Sequence, residues 1–336
     1  MTSPTANRRC VLVRRPVGQA TPDCFRVEEV GLEPLQPGEV RVAVEYVSVD
    51  AGTRTMLRGE GFHMQVEMGG VILSRGVGRV IESADDAFQN GQAVAGRLGA
   101  QTVATVPGSY LMVIDDSLGP LSLHLGVLGP STGVTAWIGI REVAKPKPGD
   151  NFVVSAAAGA VGSIVGQIAK RDGARVIGIA GGPQKVAYLL DTLGFDAAID
   201  YKNEDVSARL GELCPDGVNV FFDNVGGDIL DAVLDNLALH ANVVICGAVS
   251  QYDDMDDITG PSMYLRLAER QSKMEGFAYF HFPDSIPKAQ AELASWVEDG
   301  SIVGSEHVLE GIDAFPDALQ FMFEGGNIGK LLVSTT

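Results

Sequence analysis

Over roughly the first 127 residues, hydrophobic and polar positions alternate in short stretches broken by Gly and Pro, as in Glu39-Val-Arg-Val-Ala-Val-Glu-Tyr-Val47 and Gly78-Arg-Val-Ile-Glu82. A period of two marks half-buried strands, so this part is predicted to be β-rich, a barrel or a sandwich. From about Pro130 the pattern changes. Apolar strands begin near Phe152, Val176, Ala197, Asn219, Val243 and Met274, every 21 to 31 residues, with helical periodicity between them. Strands alternating with helices at that spacing build a doubly wound parallel sheet.

The helices can be checked by period. Val161, Ile164, Val165, Ile168 and Ala169 lie on one stripe of a helix resting on a sheet. Pro183 suits a first helical position, Val186, Leu189, Leu190 and Leu193 form the next stripe, and Gly194 stands where a left-handed C-terminal cap is wanted. Leu230, Val233, Leu234 and Leu237 give a third stripe. Lys145-Pro-Lys-Pro-Gly-Asp150 reads as the turn into the first strand of this half. The closing Lys330-Leu-Leu-Val-Ser334 is strand-like and is expected to rejoin the first domain. The expected domains are therefore 1–127 with 312–336, and 128–311.

Composition narrows the function classes. With 336 residues, 46% hydrophobic and 20% charged, the chain is globular and long enough for two cores. A net charge of −18 repels phosphate backbones and anionic membranes, which argues against a nucleic-acid or membrane partner. No apolar run approaches the ~20 residues that span a bilayer, and the N-terminal segment lacks a signal-peptide pattern. Cys10, Cys24, Cys214 and Cys246 show no paired spacing, so a reducing cytoplasm is expected.

The chemistry concentrates after the first strand of the second half. Ala157-Ala158-Gly159-Ala160-Val161-Gly162 is GxGxxG with alanine for the first glycine. Gly159 would let a backbone approach a pyrophosphate, Gly162 would let helix and strand pack closely, and the helix start would favour phosphate. The strand before and the helix after give the motif its required context for dinucleotide binding. NAD-selective chains end their second strand in Asp or Glu, which binds the ribose 2′-hydroxyl. Here Arg175-Val-Ile-Gly-Ile-Ala180 runs into Gly181-Gly-Pro-Gln-Lys185, so a cation follows small residues and NADPH is favoured. Lys185 taken alone reads equally well as a solvated lysine at a helix start.

These runs, together with Asp200-Tyr-Lys202, Phe222-Asp-Asn-Val-Gly-Gly227 and Ile245-Cys-Gly-Ala-Val-Ser-Gln-Tyr252, resemble the zinc-free double-bond reductases of the medium-chain dehydrogenase/reductase superfamily. The resemblance covers about residues 30 to 336. It implies an α/β chain with a GroES-like β-barrel domain and a Rossmann domain, the active site lying in the cleft between them. It also implies NADP(H) held by Gly159, Ala160, Val161 and Gly162 at the pyrophosphate and by Lys185 and Tyr201 at the 2′-phosphate. Asn224 and the run Cys246, Gly247, Ala248, Val249, Ser250 and Tyr252 would lie by the nicotinamide-side ribose. Thr135, Phe277, Ala278, Tyr279 and Asn327 would complete the cofactor cleft. Cys246, Asn224 and Asn327 also read as ordinary small or turn residues.

Zinc-dependent members place a Cys after an early strand and a later Gly-His-Glu. This chain reads Val47-Ser-Val-Asp50 and Gly76-Val-Gly78 there, and its histidines, His63, His124, His240, His281 and His307, are scattered, so no metal is expected. The expected activity is reduction of the C=C bond of an enone or enal by hydride transfer from NADPH, which needs a donor at the carbonyl oxygen. Two tyrosines usual in relatives fall on Gly52 and Glu269, leaving Tyr264 as the replacement candidate, while Gly52 widens the pocket. Asp50 and Arg54 read as holding their loop together. A quinone oxidoreductase and a non-catalytic NADPH-binding sensor remain alternatives. By resemblance, a homodimer is expected to pair edge strands at Lys273-Met-Glu-Gly-Phe-Ala-Tyr-Phe280.

Overall fold

The computed structural model describes residues 4–59 and 64–335. His63 lies outside them. The chain divides into two units, Met1–Leu125 with Glu306–Thr336, and Gly126–Ser305.

The second unit is built on a six-stranded sheet: β1 (Asn151–Val154), β2 (Arg175–Ala180), β3 (Ala197–Asp200), β4 (Val218–Asp223), β5 (Leu237–Ile245) and β6 (Lys273–Gly276). All neighbours pair in parallel, in the order β3-β2-β1-β4-β5-β6. That is the doubly wound dinucleotide order, whose direction of winding reverses between β1 and β4. The interior strands are apolar along their whole length because helices cover both faces. Val153, Ile177, Ile199, Phe221 and Val243 share one core with Leu210, Leu230, Val233 and Leu234 of the covering helices.

Those helices are α1 (Ala160–Arg171), α2 (Pro183–Ala187, continuing as Tyr188–Thr192), α3 (Val206–Leu213) and α4 (Gly227–Asp235). The second half of α2 is wound with wider i→i+5 turns. These rotate Leu190 out to solvent while Leu189 and Leu193 stay buried, so the expected stripe loses one member. Gly194 closes this helix at φ +65°. Leu237 is not the last residue of a helical stripe: α4 ends at Asp235, Asn236 turns its amide back to the carbonyl of Ala232 at 2.8 Å, and Leu237 opens β5. Its side chain still joins the same core, which is why helical spacing absorbed it. At the far edge, β6 is shorter than its sequence suggests and all four of its residues are exposed.

The first unit holds a two-stranded sheet of Ala6–Leu12 and Phe25–Gly31, and a seven-stranded sheet around Glu39–Ser48. Lys330–Ser334 pairs antiparallel with Glu39–Ser48, as the C-terminal pattern predicts. Glu306–Leu309, grouped by sequence with the second domain, pairs with that same terminal strand and belongs to this unit. At the end of Glu39–Ser48, Asp50 accepts Lys330 Nζ at 2.7 Å and Ser48 Oγ at 2.6 Å, while Lys330, 2% exposed, also reaches the carbonyl of Val49 at 3.1 Å. The Lys330 ammonium holds the Asp50 carboxyl below its ordinary range against the opposing effect of burial, so this pair ties two ends of the chain together. Arg54 Nε donates to the carbonyl of Gly18 at 3.1 Å and fastens the adjoining loop. No helix among the described residues is long and apolar enough to cross a membrane, and no group of three or more His, Cys, Asp or Glu among them could hold a metal ion.

Candidate dinucleotide site

Parallel pairing brings the carboxyl ends of all six strands to one edge of the sheet, where ligands of open α/β sheets bind. Five clusters of predicted residues meet there.

Beyond β1, the turn passes through Ala156 at φ +47°, a left-handed conformation that alanine adopts at a cost of about 1 kcal/mol. Ala157, in the first-glycine position of the motif, donates its N–H to Ile179 O at 3.0 Å and has no such φ, which is why the substitution is tolerated. A Cβ built on Gly162 would lie 2.4 Å from the carbonyl oxygen of Ala156, and one built on Gly159 would lie 3.1 Å from it. The bare backbone at these two residues leaves room at the start of α1. The first bond returning to Gly159 comes from Ser163 at 3.1 Å, so the N–H groups of Ala160, Val161 and Gly162 fall in the unpaired first turn. This is a cradle a pyrophosphate fits.

At the ends of β2 and β3, Gly182 takes φ +92° immediately before Pro183. A Cβ on Gly181 would come within 2.8 Å of the Tyr201 ring and 2.9 Å of Lys202 Cε, so both side chains lie over its bare backbone. Burial, and secondly the charge of Lys202, lower the pKa of Lys185. Two cations therefore share this corner with Tyr201. Lys202 stands in the motif Asp200-Tyr-Lys202 but drew no role from sequence, because a lysine in a surface turn carries no periodic signal.

Between β1 and β4 lies a buried polar knot. Asp223, fully buried, accepts Ser155 Oγ at 2.8 Å and the N–H groups of Val225 and Gly226 at 2.9 and 3.0 Å. Burial pushes its carboxyl above the ordinary range, against those donors. Asn224 is fixed by its N–H to Ser155 Oγ (2.8 Å) and by Nδ2 to Ser155 O (2.9 Å). Sequence reasoning singled out Asn224 and missed the Asp223–Ser155 pair that holds it. Beyond β5, Cys246 and Gly247 both donate N–H groups to Asp223 O. Burial, helped by Asp223, pushes the Cys246 thiol to about 12, so it stays neutral. Val249 and Ser250 bond back to Asn224 O and Val225 O at 3.1 and 3.2 Å. The Tyr252 hydroxyl accepts the Ala248 N–H at 3.2 Å, and no acceptor among the described residues takes its proton. Burial raises its pKa.

Phe277, after β6, packs edge-on against Phe222 with ring centroids 6.1 Å apart, and both rings close over Gly139. Ala278 is half-buried beside it, and Tyr279 stacks edge-on with Phe280. Thr135, in the helical segment 130–144, donates its hydroxyl to Pro130 O at 2.8 Å. Asn327 belongs to the other unit, where Nδ2 donates to Gly329 O at 2.8 Å. Tyr264 lies in the segment after Thr259, whose carbonyl accepts Gln251 Nε2 at 2.9 Å from the loop beyond β5. Its loop is docked on α4 by Asp231, which accepts the N–H groups of Ser262 and Met263, and the tyrosine is 57% exposed. In the first unit, a Cβ on Gly52 would meet nothing within 4 Å.

Residues 8–114 match the model of the N-terminal domain of oxidoreductase, and 160–295 match that of the zinc-binding dehydrogenase. A putative NADP-dependent oxidoreductase of Bacillus subtilis is 41% identical over 97% of this chain and 96% of its own. The 2-alkenal reductase (NADP(+)-dependent) of Nicotiana tabacum is 36% identical over 99% and 98%. The crystal structure of CurA from Vibrio vulnificus in complex with NADPH superposes with a TM-score of 0.92, at 35% identity over 98% of this chain and 99% of the other. This chain belongs to the NADP-dependent medium-chain oxidoreductases, in the branch of the alkenal, curcumin and prostaglandin reductases. It is an α/β enzyme of that two-domain class, and its cofactor is NADP(H).

Proposed function

We propose that this oxidoreductase reduces the C=C bond of α,β-unsaturated aldehydes and ketones, with the Tyr252 hydroxyl as hydrogen-bond donor to the carbonyl oxygen. The observation carrying this reading is a half-buried tyrosine hydroxyl beyond the carboxyl end of β5 whose proton no described protein group takes up. Gly159 to Gly162 hold the pyrophosphate, Lys185 and Tyr201 the 2′-phosphate, and Asn224 with Cys246 to Ser250 the nicotinamide-side ribose. Thr135, Phe277, Ala278 and Tyr279 line the remainder of the cofactor site.

When bound, the dihydronicotinamide supplies the hydride that adds to the β-carbon. Negative charge then builds on the carbonyl oxygen, where a donor already fixed in place lowers the barrier because nothing reorganises at that moment, and a proton from solvent reaches the α-carbon to give the saturated carbonyl compound. Asp223 sustains the arrangement by tying the ends of β4 and β5 to Ser155. Gly52, facing open space, favours bulky substrates. Tyr264, exposed to solvent, is assigned no part.

The deciding experiment follows NADPH oxidation against enones, enals and quinones, with NADH in parallel. Enone turnover with loss of the enone absorbance is expected. Turnover of quinones alone would replace this reading with quinone reduction, and tight NADPH binding without turnover would replace it with a sensor.

We also read the chain as a cytoplasmic homodimer. Four free thiols suit a reducing compartment. The exposed backbone edge of β6, beside exposed Met274 and Phe280, is what a second copy would cover. Light scattering is expected to give twice the 35.4 kDa chain mass; a monomer would overturn the dimer.

A further inference from the structure

An acid is present at the coenzyme-selecting corner, but on the neighbouring strand. Ala180, where an NAD-selective chain would carry its ribose-binding carboxylate, is the register partner of Asp200. Asp200 is 8% exposed, and its acceptor sites are turned into the protein: Oδ1 takes the N–H of Gly182 at 2.7 Å and of Lys202 at 3.1 Å, and Oδ2 takes Asn203 Nδ2 at 2.8 Å. Its own N–H goes to Glu204 Oε2 at 2.8 Å. The Gly182 N–H is the foremost reason its carboxyl is held below the ordinary range.

The two backbone points it grips are those from which the two cations of the corner spring. Gly182 is the cap of α2, with Lys185 in the first turn, and Lys202 is bound directly. Neither ammonium forms an ion pair within 4 Å of a carboxylate among the described residues; the Lys202 charge is felt by the Asp200 carboxylate beside it, and Lys185 and Lys202 are close enough for one to depress the other's pKa. Two like charges held together, with a single carboxylate beside one of them, are stabilised when a dianion joins them.

We propose that Asp200 is the positioning residue for coenzyme selection: by pinning Gly182 and Lys202 it sets Lys185 and Lys202 as a cation pair spaced for a 2′-phosphate. An acid in a position to favour NAD is thereby turned to the opposite use. The inference rests on reading this corner as the 2′-phosphate site.

The test is calorimetric titration of the full chain with 2′,5′-ADP, which carries the 2′-phosphate, and with 5′-AMP, which lacks it. Asp200→Asn and Lys202→Ala are each expected to weaken 2′,5′-ADP binding by about tenfold, the size of one charge-assisted contact, and to leave 5′-AMP within about twofold. The NADPH-over-NADH ratio of kcat/KM should fall in parallel through KM, with kcat retained. Equal weakening of both nucleotides by Asp200→Asn would reduce Asp200 to a structural role. Tighter 2′,5′-ADP binding would make it a repelling charge; either result overturns the proposal. If Asp200→Asn does not fold, Lys202→Ala still decides, since an unchanged nucleotide ratio there sinks the cation pair. Lys185→Ala separates the two levels. No loss of discrimination in that variant removes the 2′-phosphate reading itself, whereas loss there without loss in the other two removes only this inference.

Discussion

Gly162→Ala is expected to lose NADPH binding and a large part of the second unit's stability. The added Cβ would sit 2.4 Å from the carbonyl oxygen of Ala156 and 3.0 Å from Ala157 Cα. Both obstacles are backbone, so no rotamer change relieves the clash; α1 must move away from β1. Overpacking of this kind costs about 1–3 kcal/mol, and Ala156 already sits at φ +47° in the turn that would have to absorb the shift. The displaced helix start carries the first-turn N–H groups meant for the pyrophosphate, so affinity falls with stability, by about tenfold or more for each charge-assisted bond lost. Urea unfolding and NADPH fluorescence titration measure the two effects separately. Gly159→Ala is the control: its Cβ would meet the same oxygen at 3.1 Å, which a small adjustment accommodates, so it should fold while hindering the cofactor's approach. A Gly162→Ala variant that folds and binds like the parent would mean that close helix–strand packing is not what this glycine provides.

What could be read in the chain beforehand divides along physical lines. Strand positions, the first turn of α1 and the return of Lys330–Ser334 were legible because each is encoded locally, in periodicity or in residues with restricted backbone preferences. Leu237 misled because a strand residue entering the core beyond α4 falls on the same spacing as one more helical turn. Leu190 misled because a widening of helical pitch leaves no mark in hydrophobicity. The site behaved likewise. Glycines announce themselves by what they lack, and Lys185 by the absence of an acid before it. Asp200, Lys202, Asp223 and Ser155 act through pairings between strands, Ser155 with Asp223 across 68 residues and Asp200 with Gly182 across 18, which no local pattern contains. Tyr264 attracted the donor role because a tyrosine near the lost positions can be found by counting. That its loop is anchored to α4 depends on Asp231, another partner distant in sequence.

Tyr252→Phe is therefore the substitution expected to strike the chemistry most directly. It removes one oxygen and leaves the ring, so the loop from Cys246 to Tyr252 keeps its backbone bonds to Asp223, Asn224 and Val225 and loses only the contact from Ala248 N–H. NADPH affinity and melting temperature should stay close to the parent. Turnover of enones should drop by about 100-fold, the usual effect of deleting one preorganised donor to a developing oxyanion. The effect should appear in kcat, because the bond strengthens only as charge builds on the oxygen. Its pH dependence has a definite sign. The active form is the protonated hydroxyl, and burial raises its pKa above the ordinary 10.0, so donor function is complete at neutral pH and is lost only as pH rises past that raised value. An alkaline limb beginning below 10.0 would have to come from another group and would persist in Tyr252→Phe. Tyr264→Phe, by contrast, should leave kcat, KM and the pH profile unchanged. If Tyr264→Phe is the slow variant instead, the loop on α4 must swing inward during turnover, and the donor assignment passes from Tyr252 to Tyr264.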